Sequence, residues 1–272
     1  MYFSIKPWCE AGETASECLL RNPTLGLNTT MEAGLYRYQG TDTINNYVCF
    51  GTTVKSECVG NTDAYMYRII GINSSYQVKL IKKEALNTGV KWWDNSTYNI
   101  EWPSSNIYTT LNGNDYLLND TYVPTGWESK IATTTWKYGD TESNGNYNGV
   151  TIYAIENAWT STVSAKIGLM YIHDYYYAYA LGGTPESSSN AVTAWIHLSE
   201  NDTSAPSTDE WTMSRRGFFA GVNYRAWNVA SGGTVGYPNL AVGDSVRPVF
   251  YLTSEVKITS GTGTATDPFI IN

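Results

Sequence analysis

The pattern of apolar and polar positions along the chain is mostly that of strands. Tyr65-Met66-Tyr67-Arg68-Ile69-Ile70-Gly71-Ile72 is dense in aromatic and β-branched residues. Asn73-Ser74-Ser75 reads as a turn, and Tyr76-Gln77-Val78-Lys79-Leu80-Ile81-Lys82 then alternates, with Val78 and Leu80 facing one way. Together these predict a β-hairpin. Further strands are predicted over residues 210–213, 225–229, 233–237, 246–252, 256–259 and 269–271, and a buried strand over 163–171.

Helical spacing is confined to the middle of the chain. Ser104 or Ser105 can cap a helix within residues 103–131, in which Ile107, Leu111 and Leu118 share a face, and a second short helix after Pro124 would carry Trp127 and Ile131. Asp174 is placed to cap a third helix through Tyr175, Tyr176, Tyr177 and Tyr179, stopped at Gly182-Gly183. Residues 139–149 and 183–209 read as loops by composition, the latter with one short segment at 194–198. The fold class is α+β, with twisted antiparallel sheets, two or three short helices and long loops. Residues 1–33 read as an irregular N-terminal arm and 34–272 as one domain.

Composition narrows the function. The 272 residues carry a net charge of −8, which disfavours nucleic acid or an anionic membrane as partner. No apolar run is long enough to span a bilayer. Charged residues are only 15% and aromatics 14%, so the surface must be neutral and polar, as in secreted binding proteins. The start, Met1 to Trp8, reads like the tail of an apolar segment, and a native leader or anchor is expected upstream of it.

The four cysteines, Cys9, Cys18, Cys49 and Cys58, form two pairs, each enclosing eight residues and ending in Ser-Glu-Cys. Local disulfides Cys9–Cys18 and Cys49–Cys58 are the favoured reading. A zinc site fits poorly because its ligands come at closer spacing; four buried thiols are the other alternative.

Catalytic chemistry is sparse. His173-Asp174 lies between a strand and a helix, but the plainer reading is a strand end with a cap, since no nucleophile accompanies it. No metal-ligand spacing occurs and no cofactor is implied; calcium has no supporting motif. A pair of carboxylates for sugar hydrolysis is available in any chain with 25 acids, which leaves a carbohydrate-active enzyme as a third-ranked reading behind two non-enzymatic ones.

Residues 215–225, Arg215-Arg216-Gly217-Phe218-Phe219-Ala220-Gly221-Val222-Asn223-Tyr224-Arg225, combine residue types enriched at binding hot spots in a stretch of poor periodicity. They suggest a ligand surface of Arg215, Arg216, Phe218, Phe219, Asn223, Tyr224 and Arg225, with Tyr237 and Asn239 nearby. The alternative is that the two Phe plug the core beneath a loop. Arg247 lies inside the apolar run 246–252 and needs an acid or carbonyl partner there, while Pro248 predicts an edge or bulge.

Several motifs, in order, carry a family resemblance. They are Asn46-Tyr47-Val48-Cys49-Phe50-Gly51, Tyr67-Arg68-Ile69-Ile70-Gly71, Lys130-Ile131-Ala132, and Ile167 through Tyr175. Trp211-Thr212-Met213-Ser214-Arg215, Ala226-Trp227-Asn228-Val229 and Val246-Arg247-Pro248-Val249-Phe250-Tyr251-Leu252-Thr253-Ser254 complete the series. Over residues 34–272 the chain resembles a family of modules found in large predicted surface proteins of gut Firmicutes and their relatives. That family is similar to bacterial C-type-lectin-like domains, including the formylglycine-generating-enzyme-like fold and the variable proteins of diversity-generating retroelements.

The resemblance implies a C-type-lectin-like fold, structural roles for Trp211, Trp227 and Arg247, and a ligand face near residues 215–240. The calcium-binding E-P-N, Q-P-D and W-N-D motifs of animal lectins are missing, and no cysteine follows Cys58, so neither that calcium-dependent sugar binding nor formylglycine generation carries over. The expected protein is an adhesin-type domain on a bacterial surface, binding a glycan or a protein on a host or neighbouring cell. The alternative is a structural subunit of a filament, pilus or surface layer, whose partners are copies of itself. If the cysteines are paired, alkylation of the denatured chain without reductant labels no thiol; labelling of all four would return them to the free state.

Overall fold

The computed structural model describes residues 9–39, 44–141, 149–178, 209–219, 221, 223–230 and 235–272. Among these the fold is α+β. Early in the chain come helix α1 (Ala15–Arg21) and strands β1 (Leu27–Glu32), β2 (Leu35–Tyr38) and β3 (Tyr47–Cys49). Helices α2 (Lys55–Gly60) and α3 (Thr62–Tyr65) lead into the long hairpin β4 (Met66–Asn73) and β5 (Val78–Lys82). The middle holds β6 (Leu86–Lys91), α4 (Asn106–Asn112), β7 (Thr134–Lys137), α5 (Gly149–Ala158), β8 (Thr162–Ala165), β9 (Ile167–Gly168) and α6 (Ile172–Ala178). The last third is a run of strands: β10 (Glu210–Phe219), β11 (Asn223–Val229), β12 (Val235–Gly236), β13 (Gly243–Val246), β14 (Val249–Tyr251), β15 (Ile258–Ser260) and β16 (Phe269–Ile271).

Two main sheets result. The larger runs β15-β16-β3-β4-β5-β14-β9, with β2 and β1 extending from β4; the smaller runs β12-β11-β10-β13-β6. Pairing is antiparallel except for β16 with β3 and β10 with β13. Strand β5 is buried at all five positions, so both faces of the larger sheet are covered there. That is why the alternation in 76–82 puts lysines inside: the Lys82 ammonium lies 5.5 Å and 5.7 Å from the ring centroids of Tyr67 and Tyr122. Gly71 is required where β4 passes β2, because a Cβ there would sit 2.2 Å from the Tyr36 carbonyl oxygen.

Several sequence expectations are corrected. The described part of segment 1–33 is not an irregular arm. It carries α1 with a complete Thr14–Glu17 capping box, and β1 joins the larger sheet. Leu19, Leu25 and Leu27 belong to the main core cluster. The helix expected over 103–131 is limited to α4, capped by Ser105, because Gly113 and the asparagines around it do not sustain it; Leu118 is exposed. The segment after Pro124 forms only a 3₁₀ turn, Trp127–Lys130. Helix α5 begins at the end of a stretch read as loop. The expected strand at 210–213 runs on through Phe219 and pairs with β11, so the ligand stretch is a hairpin rather than an irregular loop. The segments at 194–198 and 182–183 lie outside the described residues.

Both disulfides join the nearer cysteines, Cys9–Cys18 and Cys49–Cys58, with Cα atoms 5.0 Å and 5.8 Å apart. They suit an extracellular protein. Among the described residues no helix is long and apolar enough to cross a membrane.

Two adjacent residues of α6 fasten the helix to both sheets. Asp174 is fully buried and takes Arg37 of β2 at 2.9 Å and Lys79 of β5 at 2.6 Å, both in the larger sheet. Tyr175 donates to Glu210 Oε1 of β10 at 2.5 Å, in the smaller sheet. Arg247 donates to the same oxygen at 2.8 Å and to the Lys83 carbonyl at 3.4 Å. Arg247 thus has both kinds of partner that an arginine in an apolar run requires. With Pro248 it breaks the run into β13 in one sheet and β14 in the other. Removing the Asp174 charge should be among the most damaging single changes. Asp174→Asn leaves two buried cations without their counter-ion and should cost about 3–5 kcal/mol in chemical denaturation; a cost within experimental error would contradict the role assigned to it.

Candidate functional site

Three consecutive residues of β10 point polar groups into three different surroundings. The register of β10 against β11 shifts between Trp211 and Arg215 and again between Arg215 and Gly217. Bulges of this kind re-aim side chains. Gly217 has φ +94°, and a Cβ there would come within 3.0 Å of the Asp140 carboxylate. Only glycine suits that conformation and that contact.

Ser214, fully buried, donates to Glu156 Oε1 and accepts from the Ile172 N–H at 3.1 Å. Arg215 is only 3% exposed. Its Nε donates to Asp140 at 2.8 Å, its Nη1 to the Asn99 side chain at 2.5 Å and the Ile100 carbonyl at 2.8 Å, and its Nη2 also meets Glu101. This corrects the expectation of a ligand-facing Arg215: its charge and donors are spent inside the protein. Arg216 is buried too, with its guanidinium 3.6 Å from the Tyr237 centroid and 5.7 Å from that of Trp227. It is a core member of a cation–π stack rather than a free surface arginine.

The rest of the expected surface divides between the two faces of the hairpin. Phe218 is 49% exposed and packs on Tyr224 with centroids 5.1 Å apart. The Phe219 side chain lies outside the described residues; its backbone pairs with Asn223. Asn223 accepts from the Ser96 hydroxyl at 2.8 Å, and the Tyr224 N–H reaches the Ser96 carbonyl at 2.8 Å, so the segment around Ser96 braces the hairpin end. Arg225 donates to the Tyr237 carbonyl at 3.1 Å, and Tyr237 is 37% exposed. Asn239 bridges to Arg225 and holds its own turn through the Ala241 N–H. Of the nine expected residues, Phe218 and Tyr224 make a partly exposed aromatic rim. Arg225 and Tyr237 belong to the Arg216–Trp227 cluster on the other face of the hairpin. Asn223 and Asn239 hold the backbone beside them, and the Arg215 guanidinium lies 5.9 Å from the Tyr224 ring centroid.

The base of the hairpin is pinned by buried polar contacts. Trp211 donates to the Val90 carbonyl at 2.7 Å and Trp227 to the Thr141 hydroxyl at 2.9 Å. Asn228 donates to both Asp209 at 3.1 Å and Asp244 at 2.9 Å. Burial pushes the Asp244 carboxyl from its ordinary 3.8 up to about 6; the Asn228 hydrogen bond opposes this and the Asp209 charge adds to it.

A second concavity was not foreseen. A cavity of about 210 Å³ lies beside α5 and α6, lined by Arg37, Lys79, Lys137, Glu156, His173 and Asp174 among others, with Tyr153, Tyr171 and Tyr251 in its walls. His173 shares a short hydrogen bond through Nδ1 with Glu156 Oε2 and stacks on Tyr171 with centroids 5.3 Å apart. Asp174 does not stand ahead of the helix as expected. Helix α6 starts at Ile172, and the Asp174 carboxylate reaches back to the Tyr171 N–H at 3.0 Å. Burial alone would raise its carboxyl, but Lys79, His173 and Arg37 outweigh burial and hold it well below the usual carboxylate range.

The sequence signal for this cavity lay in charged residues at interior strand positions, Arg37 between Tyr36 and Tyr38 and Lys79 between Val78 and Leu80. Glu156 gives none, because the Gly- and Asn-rich stretch before it hides the helical spacing of α5. Among the described residues no group of three or more His, Cys, Asp or Glu side chains is arranged to hold a metal ion.

No family model matches the chain, and no curated protein or solved structure is similar to it.

The Asp244 environment generates a pH signature. The folded protein binds more protons than the unfolded chain between about pH 4 and about pH 6 at this residue, so its contribution to stability falls as pH rises through that window. Asp244→Asn keeps the contact to Asn228, should flatten that slope and should raise stability at pH 7 by about 1–2 kcal/mol. Urea titrations at several pH values check it; an unchanged slope would show that Asp244 titrates normally.

Proposed function

We propose that the protein is an extracellular, non-enzymatic binding domain of the C-type-lectin-like kind, carried on a bacterial surface. It recognises a glycan or a protein on a host or neighbouring cell. The observation that carries this reading is the aromatic rim of Phe218 and Tyr224, exposed at the end of a hairpin whose base is locked by buried hydrogen bonds. Large amphipathic rings with few rotatable bonds lose little entropy on contact, and a rigid base keeps that loss small. The two disulfides and the sparse surface charge support an extracellular setting.

The Ser214, Glu156 and His173 side chains are engaged with one another. The Ser214 hydroxyl is fully buried and donates to Glu156, which also holds His173, so the serine is enclosed within the fold and tied to structure. The resemblance read from the sequence implies a ligand face in the same region of the chain, which supports this reading.

Glycan and host-protein arrays test the reading. Tyr224→Ala and Phe218→Ala should each weaken a captured ligand by about 1–2 kcal/mol while leaving the thermal transition in place. Unchanged capture by both variants would remove the rim from the site. Light scattering should find a particle of 30.2 kDa at all concentrations. Growth into large assemblies would reassign the aromatic rim to contacts between copies, as in a filament or surface layer.

A further inference from the structure

The lining of the cavity beside α5 and α6 includes a buried donor that meets no acceptor among the described residues. Arg37, Lys79 and Lys137 bring three formal positive charges to its lining, and Glu156 and Asp174 bring two negative ones. Both carboxylates are fully engaged. Asp174 Oδ1 accepts from Arg37, and its Oδ2 from Lys79 and the Tyr171 N–H. Glu156 Oε1 accepts from Ser214, and its Oε2 is bound to His173.

Arg37, 1% exposed, keeps Nη1 without a hydrogen-bond partner among the described residues, although Nε and Nη2 reach the Glu32 and Ala33 carbonyls. Among the described residues Lys137 donates to the carbonyl and side-chain oxygens of Asn157. The buried charges of Arg37 and Lys79 are matched by Asp174 and Glu156, and Lys137 adds a partly exposed positive charge. An unpartnered buried guanidinium donor beside that excess calls for an acceptor that is itself negative.

The walls say what that acceptor is attached to. Tyr153, Tyr171 and Tyr251 present aromatic surface, and Thr135 and Asn157 add neutral polar groups. Flat rings with scattered hydroxyl and amide partners suit a hydroxylated ring. About 210 Å³ is below the usual range for drug-sized ligands, so one ring fills it.

We propose that this cavity binds the carboxylate of a uronic acid, with the anion at the Arg37, Lys79 and Lys137 side and the sugar ring against the tyrosines. The site is separate from the hairpin rim and does not depend on it.

Calorimetric titration of the intact protein with glucuronate, glucose and acetate tests the proposal. Glucuronate should saturate with a Kd of about 1 mM or tighter, with glucose and acetate each weaker by about tenfold or more. Lys137→Glu, a change at a partly exposed lysine, should weaken glucuronate by about tenfold and leave the thermal transition in place. Phe218→Ala should leave glucuronate binding unchanged, which separates this site from the rim. The methyl glycoside of glucuronate distinguishes the source: binding equal to the free acid marks a glycan end as the ligand, and loss of binding marks the free sugar acid. Equal binding of glucuronate and glucose, no saturable binding of glucuronate, or an unaffected Lys137→Glu variant would overturn the proposal. Acetate binding as tightly as glucuronate would overturn the assignment of a sugar ring.

Discussion

The architecture depends on one helix whose adjacent residues Asp174 and Tyr175 each make a buried polar contact to a different sheet. Asp174 holds Arg37 and Lys79 of the larger sheet, while Tyr175 meets Glu210 of the smaller one, which also pairs with Arg247 at the junction of β13 and β14. Buried charges are costly unless their partners are placed well, so these contacts fix geometry more than they add stability. An apolar helix face could slide against either sheet; a carboxylate shared by two cations cannot. The Ser214–Glu156–His173 chain adds a second tie from the smaller sheet to the same helix.

That fixed geometry explains how one hairpin can be rigid at its base and open at its end. Ser214, Arg215 and Arg216 are all buried, which the bulges of β10 permit, and their partners come from α5, the segment at 99–101 and the Trp227–Tyr237 stack. Two residues further on, Phe218 is half exposed. Polar groups near the sheet junction are spent on structure, and aromatic groups at the tip remain for contact. The cavity beside α6 adjoins the same arrangement: Arg37 and Lys79, which Asp174 holds, line it together with the partly exposed Lys137.

Much of the strand content was legible because aromatic and β-branched clusters bounded by Asn, Ser and Gly allow few alternatives, as in the β4–β5 hairpin. The need for partners at Arg247 and the break at Pro248 followed from the cost of an isolated charge and a missing donor. What was not legible depended on tertiary contact. Nothing local marks Arg215 and Arg216 as interior, since their burial rests on Asp140 and Tyr237, 75 residues upstream and 21 residues downstream. Helix α1 was hidden by the Gly, Pro and Asn around it, and α5 by the Gly- and Asn-rich stretch that precedes it. Lys79 reads as a solvent-facing strand position until the second face of its sheet is known to be covered.

The coupling of the two sheets through α6 can be tested amide by amide. Native-state hydrogen exchange should show the central amides of β4 and β5 opening with the same free energy and denaturant dependence as those of β10 and β11, because the helix makes the sheets one cooperative unit. If β10 and β11 open at distinctly lower free energy while β4 and β5 stay protected, the smaller sheet is an independent unit and Asp174 and Tyr175 do not join the two.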